Sequence, residues 1–153
     1  MGQFRRIVWS YYRQHDADLP WRRTRDPYRI LVSEVMLQQT QRERVVTKYQ
    51  EFLKCFPTIH SLARGSTREV LKVWQGLGYN RRALALKRLA EIVVKEHGGR
   101  IPKDPTVLEQ LPGVGKATAA ATVAFAFGRP AVYIDTNVRR AFIHWFFPRR
   151  RKV

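Results

Sequence analysis

The chain has 153 residues, one domain's worth, enough to bury roughly 68–70% of the surface its unfolded form exposes. Its 29 lysines and arginines against 12 acidic residues leave a net charge of +17, an excess that calls for a polyanionic partner. A membrane role is excluded, because no apolar run approaches the length of a span and the basic residues are not gathered on one amphipathic helix.

Met1-Gly2-Gln3-Phe4-Arg5-Arg6 lacks the apolar stretch of a signal peptide, so an intracellular protein, cytoplasmic or nucleoid-associated, is expected. Cys55 is the one cysteine, which rules out an internal disulfide and a cysteine-ligated zinc or iron–sulfur site within these residues. Its neighbours Phe52 and Phe56 suggest a place in the core.

The pattern is helical nearly throughout. Phe4, Ile7, Val8 and Tyr11 mark the apolar stripe of a first helix. A loop with Pro20-Trp21 and Asp26-Pro27 leads to a helix carrying Glu34. Val45, Val46, Tyr49, Phe52 and Leu53 mark the next helix, ended by Phe56-Pro57. Ser66-Thr67-Arg68-Glu69 reads as a capping box opening a short helix through Trp74. A long basic helix follows from about Asn80 to His97, stopped by Gly98-Gly99. Thr106-Val107-Leu108-Glu109 reads as a second capping box, starting a helix that runs to Leu111-Pro112. After Gly113-Val114-Gly115 comes an alanine-rich helix, Lys116 to Phe127. A brief extended piece, Ala131 to Ile134, precedes a last helix from about Thr136 to Phe146. These elements predict a single all-α domain spanning residues 1–153.

Three places in this series carry chemistry. Glu34 follows Leu31 by three residues and Ile30 by four, so it shares their inward face. Burial there raises a carboxyl's pKa and keeps it protonated, ready to act as a general acid. The plain alternative is a glutamate at the edge of the face whose tip reaches water. The residues that follow, Gln38-Gln39-Thr40-Gln41, are too polar for core and too uncharged for ordinary surface, and they favour the functional reading. Second, Gly113 and Gly115 allow a tight turn whose following N–H groups approach a phosphate closely; a simple helix–helix turn is the alternative. Third, Asp135 precedes the last helix and is either its N-cap or a fixed anion facing a cationic intermediate, with Asn137 nearby. A neutral, donating carboxyl paired with a charged, stabilising one is the division of labour used to cleave glycosidic bonds.

These motifs together resemble the helix–hairpin–helix DNA glycosylases, most closely the MutY-type, adenine-specific mismatch glycosylases. The matching pieces are Leu19-Pro20-Trp21-Arg22, Asp26-Pro27-Tyr28, Ser33 through Gln41, Trp74-Gln75-Gly76-Leu77-Gly78-Tyr79, Leu111 through Gly115, and Asp135-Thr136-Asn137-Val138. The resemblance implies a helix–hairpin–helix fold with its hairpin at about 104–127, and base-excision repair of double-stranded DNA carrying a mismatched or damaged pair. It implies that Glu34 protonates departing adenine and that Asp135 stabilises the oxocarbenium-like sugar or traps it. Gln38, Gln39, Thr40, Leu77 and Tyr79 would engage the lesion, with Tyr79 stacked beside oxidised guanine. Gly113, Gly115 and Lys116 would hold phosphate. Trp21, Arg22, Ala117 and Asn137 would line the substrate pocket. Apart from the resemblance, the basic residues Arg81, Arg82, Lys87 and Arg88 are candidate phosphate contacts, the alternative for some of them being only to solvate the long helix. Base release is hydrolytic and implies no catalytic metal.

Three departures from that family carry expectations of their own. Ala117 stands where lyase-competent relatives place a Schiff-base lysine, and where adenine glycosylases commonly carry serine or tyrosine. Lys116 is one residue away, a rotation of about 100° on a helix. A monofunctional glycosylase without lyase activity is therefore expected, with thymine or uracil opposite guanine as the alternative substrate. Asn80 replaces the second tyrosine of the usual Gly-Leu-Gly-Tyr-Tyr. The sequence stops at Arg149-Arg150-Arg151-Lys152-Val153, whereas the family ordinarily continues with further helices and often a four-cysteine [4Fe-4S] loop. The lobe built from both termini is thus expected to be incomplete at the C-terminus. The stripe of Phe4, Ile7, Val8 and Tyr11 would be covered only by Phe142, Ile143, Trp145, Phe146 and Phe147. A monomer prone to self-association, or an inactive DNA-binding fragment, follows from that expectation.

Overall fold

A computed structural model describes residues 2–15 and 18–147; the basic run at 149–152 lies outside them. The described elements are α1 (Gly2–His15), a 3-10 turn (Pro20–Arg22), α2 (Pro27–Leu37), α3 (Arg42–Cys55), α4 (Ile59–Arg64), α5 (Thr67–Trp74), α6 (Arg81–His97), α7 (Pro105–Glu109), α8 (Lys116–Phe127) and α9 (Thr136–Phe146). No strand occurs among the described residues. The fold is all-α, as the helical periodicities require. It divides into two units, residues 20–132 and the two ends of the chain.

In the larger unit α2 is the central element. Asp26 caps it, accepting from the backbone N–H of Tyr28 at 2.8 Å, and Pro27 occupies the first turn, where its missing N–H costs nothing. Tyr28, Ile30, Leu31, Val32, Ser33, Val35 and Met36 are all buried, leaving the helix almost no solvent face. A helix apolar on all sides needs neighbours on all sides. α3, α6 and α8 supply them. The Ser33 hydroxyl is satisfied within its own helix, donating to the Ile30 carbonyl at 2.7 Å. α8 is built of small residues through its buried middle: Thr118, Ala119, Ala120, Ala121 and Thr122 are buried in succession. Trp74, Phe52, Leu62, Leu86 and Leu89 fill the remainder of the core.

Capping fixes where the helices begin. The Ser66–Glu69 box opens α5 as predicted, with the Glu69 carboxylate accepting from the Ser66 N–H at 2.7 Å. α4 is an addition: Thr58 and Ser61 form a reciprocal box in front of a six-residue helix. α7 corrects the expected start at Thr106. Asp104 is its cap, accepting from the Thr106 N–H at 2.8 Å, and Pro105 leads the helix. Aspartate followed by proline is the stronger start signal. Cys55 is exposed at the end of α3, not in the core.

α1 and α9 belong to the smaller unit and meet through one aromatic cluster. The Phe4 ring packs edge-on to Phe142, Trp145 and Phe146, at centroid distances of 5.7, 5.8 and 5.2 Å. Neither helix has a buried residue, and Ile7, Val8, Tyr11, Phe142 and Trp145 all keep substantial exposure.

The turn between α7 and α8 sits against α6. Gly113 has φ of +78°, and a Cβ there would lie 2.9 Å from the Ala85 Cβ. Left-handed backbone and close approach together demand glycine. Gly113→Ala is expected to cost roughly 1–3 kcal/mol, read as a lower denaturant midpoint with an unchanged slope.

Candidate active site

Glu34 lies in the last turn of α2, partly buried between apolar neighbours. Burial pushes its carboxyl pKa up, and the nearby Arg22 guanidinium pulls it partway back down. The negative end of the α2 dipole adds to the upward push, since the anion would sit within the last turn. Arg22 is itself fixed from the other side: its guanidinium lies 3.9 Å above the Phe125 ring of α8. A carboxyl, a cation and an aromatic ring thus converge where α2 meets α8. Trp21, expected in the pocket, is 4% exposed and packs edge-on against Tyr49 at 5.5 Å, so its indole serves the core.

The residues after α2 split in their directions. The Gln38 amide donates to the Gly113 carbonyl at 3.2 Å and to Thr118 Oγ1 at 3.1 Å, tying the end of α2 to the hairpin. Gln39 is exposed, with φ of +56°. Thr40 Oγ1 accepts from Arg82 Nη2 at 3.0 Å. The loop before α6 splits similarly: Leu77 is 3% exposed, whereas Tyr79 is 55% exposed with φ of +48°. Of the five residues expected to engage the lesion, Gln38, Thr40 and Leu77 make contacts within the protein here, and Gln39 and Tyr79 face solvent. Leu77 would have to leave the core to insert.

The hairpin presents an open helix start. Gly115 occupies the N-cap position of α8 and offers no side chain to its first-turn N–H groups, while Lys116 and Ala117 are exposed beside it. Uncapped N–H groups at the positive end of a helix dipole, next to an ammonium, suit a phosphate. Arg81 and Arg88 are exposed on α6. Two further expected phosphate contacts are corrected. Arg82 is buried, and its Nη1 and Nη2 donate to backbone carbonyls and Thr40. Lys87 pairs with Glu91 at 2.6 Å and reaches the Ala63 carbonyl at 3.4 Å, capping α4. Phe125 and Thr118 were not singled out from sequence; Thr118 was signalled only as a polar residue within an alanine run.

Asp135 caps α9, accepting from the Val138 N–H at 2.7 Å, and Asn137 is exposed in the first turn of that helix. Both belong to the smaller unit and Glu34 to the larger. Among the described residues no group of histidine, cysteine or carboxylate side chains is arranged to hold a metal. With Cys55 as the one thiol, these residues cannot ligate a four-cysteine iron–sulfur cluster. No described helix is long and apolar enough to cross a membrane.

A hairpin thus leads into an uncapped helix start, and the helix beside it carries a carboxyl of raised pKa in its last turn. Residues 32–153 match the family described as HhH-GPD superfamily base excision DNA repair protein, and the chain belongs to that superfamily. It is 42% identical over 132 residues to the adenine DNA glycosylase of Mycobacterium tuberculosis, covering 86% of this chain and 43% of that protein. It is 35% identical over 140 residues to the thymine/uracil-DNA glycosylase of Methanothermobacter thermautotrophicus, covering 91% of this chain and 63% of that protein. Among solved structures it resembles a thermostable thymine-DNA glycosylase, with a TM-score of 0.82, 34% identity, and coverage of 92% of this chain and 67% of that one. A non-covalent endonuclease III–DNA complex is similar at a TM-score of 0.79 and 25% identity, covering 92% and 66% respectively. The chain thus spans less than half the length of the mycobacterial relative.

The raised pKa of Glu34 has a consequence for folding. The carboxyl binds its proton more tightly folded than unfolded, so folding takes up a proton between the ordinary value of 4.5 and the raised one. This contribution to stability is complete below 4.5, declines as pH rises through that window, and is gone above it. Glu34→Gln removes the titration. The variant is expected to melt at or above the wild-type temperature at alkaline pH, and to lose this component of the pH dependence in a melting series.

Proposed function

We propose that this chain carries the chemistry of a monofunctional DNA N-glycosylase that hydrolyses adenine from mismatches with 8-oxoguanine or guanine. The observation that carries the reading is Glu34: a carboxyl whose burial raises its pKa, set beside Arg22 at the end of α2. The similarity to an adenine DNA glycosylase supports the choice of base.

The chemistry follows from what each group can supply. Adenine inside a duplex is out of reach, so it must be flipped out, with the gap held open by protein side chains. Gln39 and Tyr79, both exposed, are assigned to contact with the duplex, and the uncapped start of α8 with Lys116 to phosphate. Glu34 gives its proton to the base as the N-glycosidic bond breaks, so adenine leaves neutral with the bonding electrons. The sugar is left cationic, and Asp135 is the anion assigned to it. Water then closes on the sugar carbon and yields its proton, restoring the carboxyl of Glu34. In this scheme Arg22 and Ala117 border the extruded base, with Asn137 beside Asp135.

Removal of thymine or uracil opposite guanine is the second reading. It is favoured by Ala117, which lacks the usual hydroxyl, and by the 35% identity to a thymine/uracil-DNA glycosylase. Duplexes carrying adenine opposite 8-oxoguanine, adenine opposite guanine, thymine opposite guanine and uracil opposite guanine separate the two. Release from the adenine pairs alone supports the first reading; release only from the pyrimidine pairs overturns it.

Glu34→Gln should abolish base release in single-turnover assays while mismatch binding persists, because the proton is needed and the shape is kept. Since Ala117 cannot form a Schiff base, the product is expected to be an intact abasic strand, cut only by alkali, and borohydride should trap no protein–DNA adduct. Affinity for undamaged duplex is expected to fall steeply with salt, as log K against log salt measures directly; a flat plot would remove the DNA reading.

A further inference from the structure

One side chain holds the two loops that flank the end of α2. Arg82, the second residue of α6, is buried. Its Nη1 donates to the carbonyls of Val35 at 3.2 Å, Met36 at 3.0 Å and Gln38. Its Nη2 donates to Thr40 Oγ1 at 3.0 Å and to the carbonyls of Leu77 at 3.0 Å and Gly78 at 3.2 Å. The indole N–H of Trp74 reinforces the second loop, donating to the same Gly78 carbonyl at 3.1 Å. The guanidinium lies 5.6 Å from the centre of the Trp74 ring and 5.5 Å from that of Tyr79.

No carboxylate stands among these hydrogen-bond partners. The charge is spent on backbone dipoles from two segments far apart in the chain. A planar fork with donors on two nitrogens can reach both; a lysine ammonium, a point charge on a flexible stem, cannot do so with the same geometry. Gln39 and Tyr79 sit beside these contacts and are the described non-glycine residues with positive φ. Such conformations cost roughly 1–3 kcal/mol each and persist only where the surroundings over-determine them.

We propose that Arg82 is a positioning residue that couples the 38–40 loop to the 77–79 loop, so that Gln39 and Tyr79 engage a duplex as one rigid element. It touches no substrate. Through the Val35 and Met36 carbonyls it also fixes the last turn of α2, and with it the depth of Glu34. The proposal rests on the glycosylase reading for its functional half, and on the contacts alone for the coupling.

The test uses the whole chain with Arg82→Lys, and with Thr40→Val as a milder variant that removes one acceptor and keeps the arginine. Amide hydrogen exchange without DNA is measured at 38–41 and 76–80. Both segments should lose protection together in each variant, including segment 76–80 in Thr40→Val, since the side-chain hydrogen bonds of Thr40 go to Gln38 and Arg82. Loosening confined to 38–41, or none at all, overturns the coupling, and Thr40→Val decides it if Arg82→Lys does not fold. On DNA, a fluorescent adenine analogue opposite 8-oxoguanine reports extrusion. In Arg82→Lys its signal should fall, and single-turnover release should drop on the order of a hundredfold, as small misplacements near reacting groups do. Binding to undamaged duplex should change less than about threefold, because the phosphate-facing groups are untouched. Equal loss of extrusion and of undamaged-duplex binding would overturn the positioning role. A wild-type chain that releases no base from any duplex would overturn the glycosylase reading instead, and exchange would still decide the coupling.

Discussion

A helix that ends inside a protein must find partners for its last carbonyls, and the arrangement of this molecule follows from how α2 does so. α2 is buried on nearly every side and has no glycine or polar side chain of its own to close it. The carbonyls of Val35, Met36 and Gln38 are met by Arg82, reaching in from α6. Left unpaired in the core, each would cost about 1–3 kcal/mol. One cation thus satisfies several groups, and the loops on either side inherit their geometry from it. Gln38 fixes the other side of the same helix end, donating to the hairpin carbonyl of Gly113 and to Thr118. The acid helix, the hairpin and the loop before α6 are therefore joined at one point.

That junction separates two uses of positive charge. Arg82 and Lys87 are turned inward, onto carbonyls and onto Glu91, and they build the fold. Arg81, Arg88 and Lys116 remain exposed, where a polyanion can meet them. Arg22 belongs to neither group. It stands over Phe125 and lowers the proton affinity of Glu34 against the larger effect of burial, so the acid is held between two opposed influences.

Much of this was legible in the sequence, for identifiable reasons. The depth of Glu34 followed from counting along the helix from Ile30 and Leu31. The start of α8 followed from Gly113 and Gly115, and the start of α5 from Ser66 and Glu69. What escaped was tertiary. Composition gives the sign of a charge but not its direction, so Arg82 and Lys87 read as surface contacts like their neighbours. Leu77 and Gln38 lie among motif residues whose direction only the packed structure reveals. α4 was missed because its box uses serine in place of glutamate and its apolar stripe is only Ile59 and Leu62. Asp135 could be read as a cap or as a catalytic anion, and the cap is the contact it makes within its own helix.

The small residues along α8 bear on acidity as well as packing. Helix axes approach to about 8–10 Å, according to the side chains between them, and here α8, with its run of buried alanines, packs against α2. Glu34 rides on one helix, and the ring that holds Arg22 rides on the other. A methyl group added to an alanine on the side of α8 that meets α2 would widen that spacing, shifting the carboxyl relative to both the cation and the apolar wall. Core volume on one helix thereby bears on the proton affinity of a carboxyl carried by its neighbour.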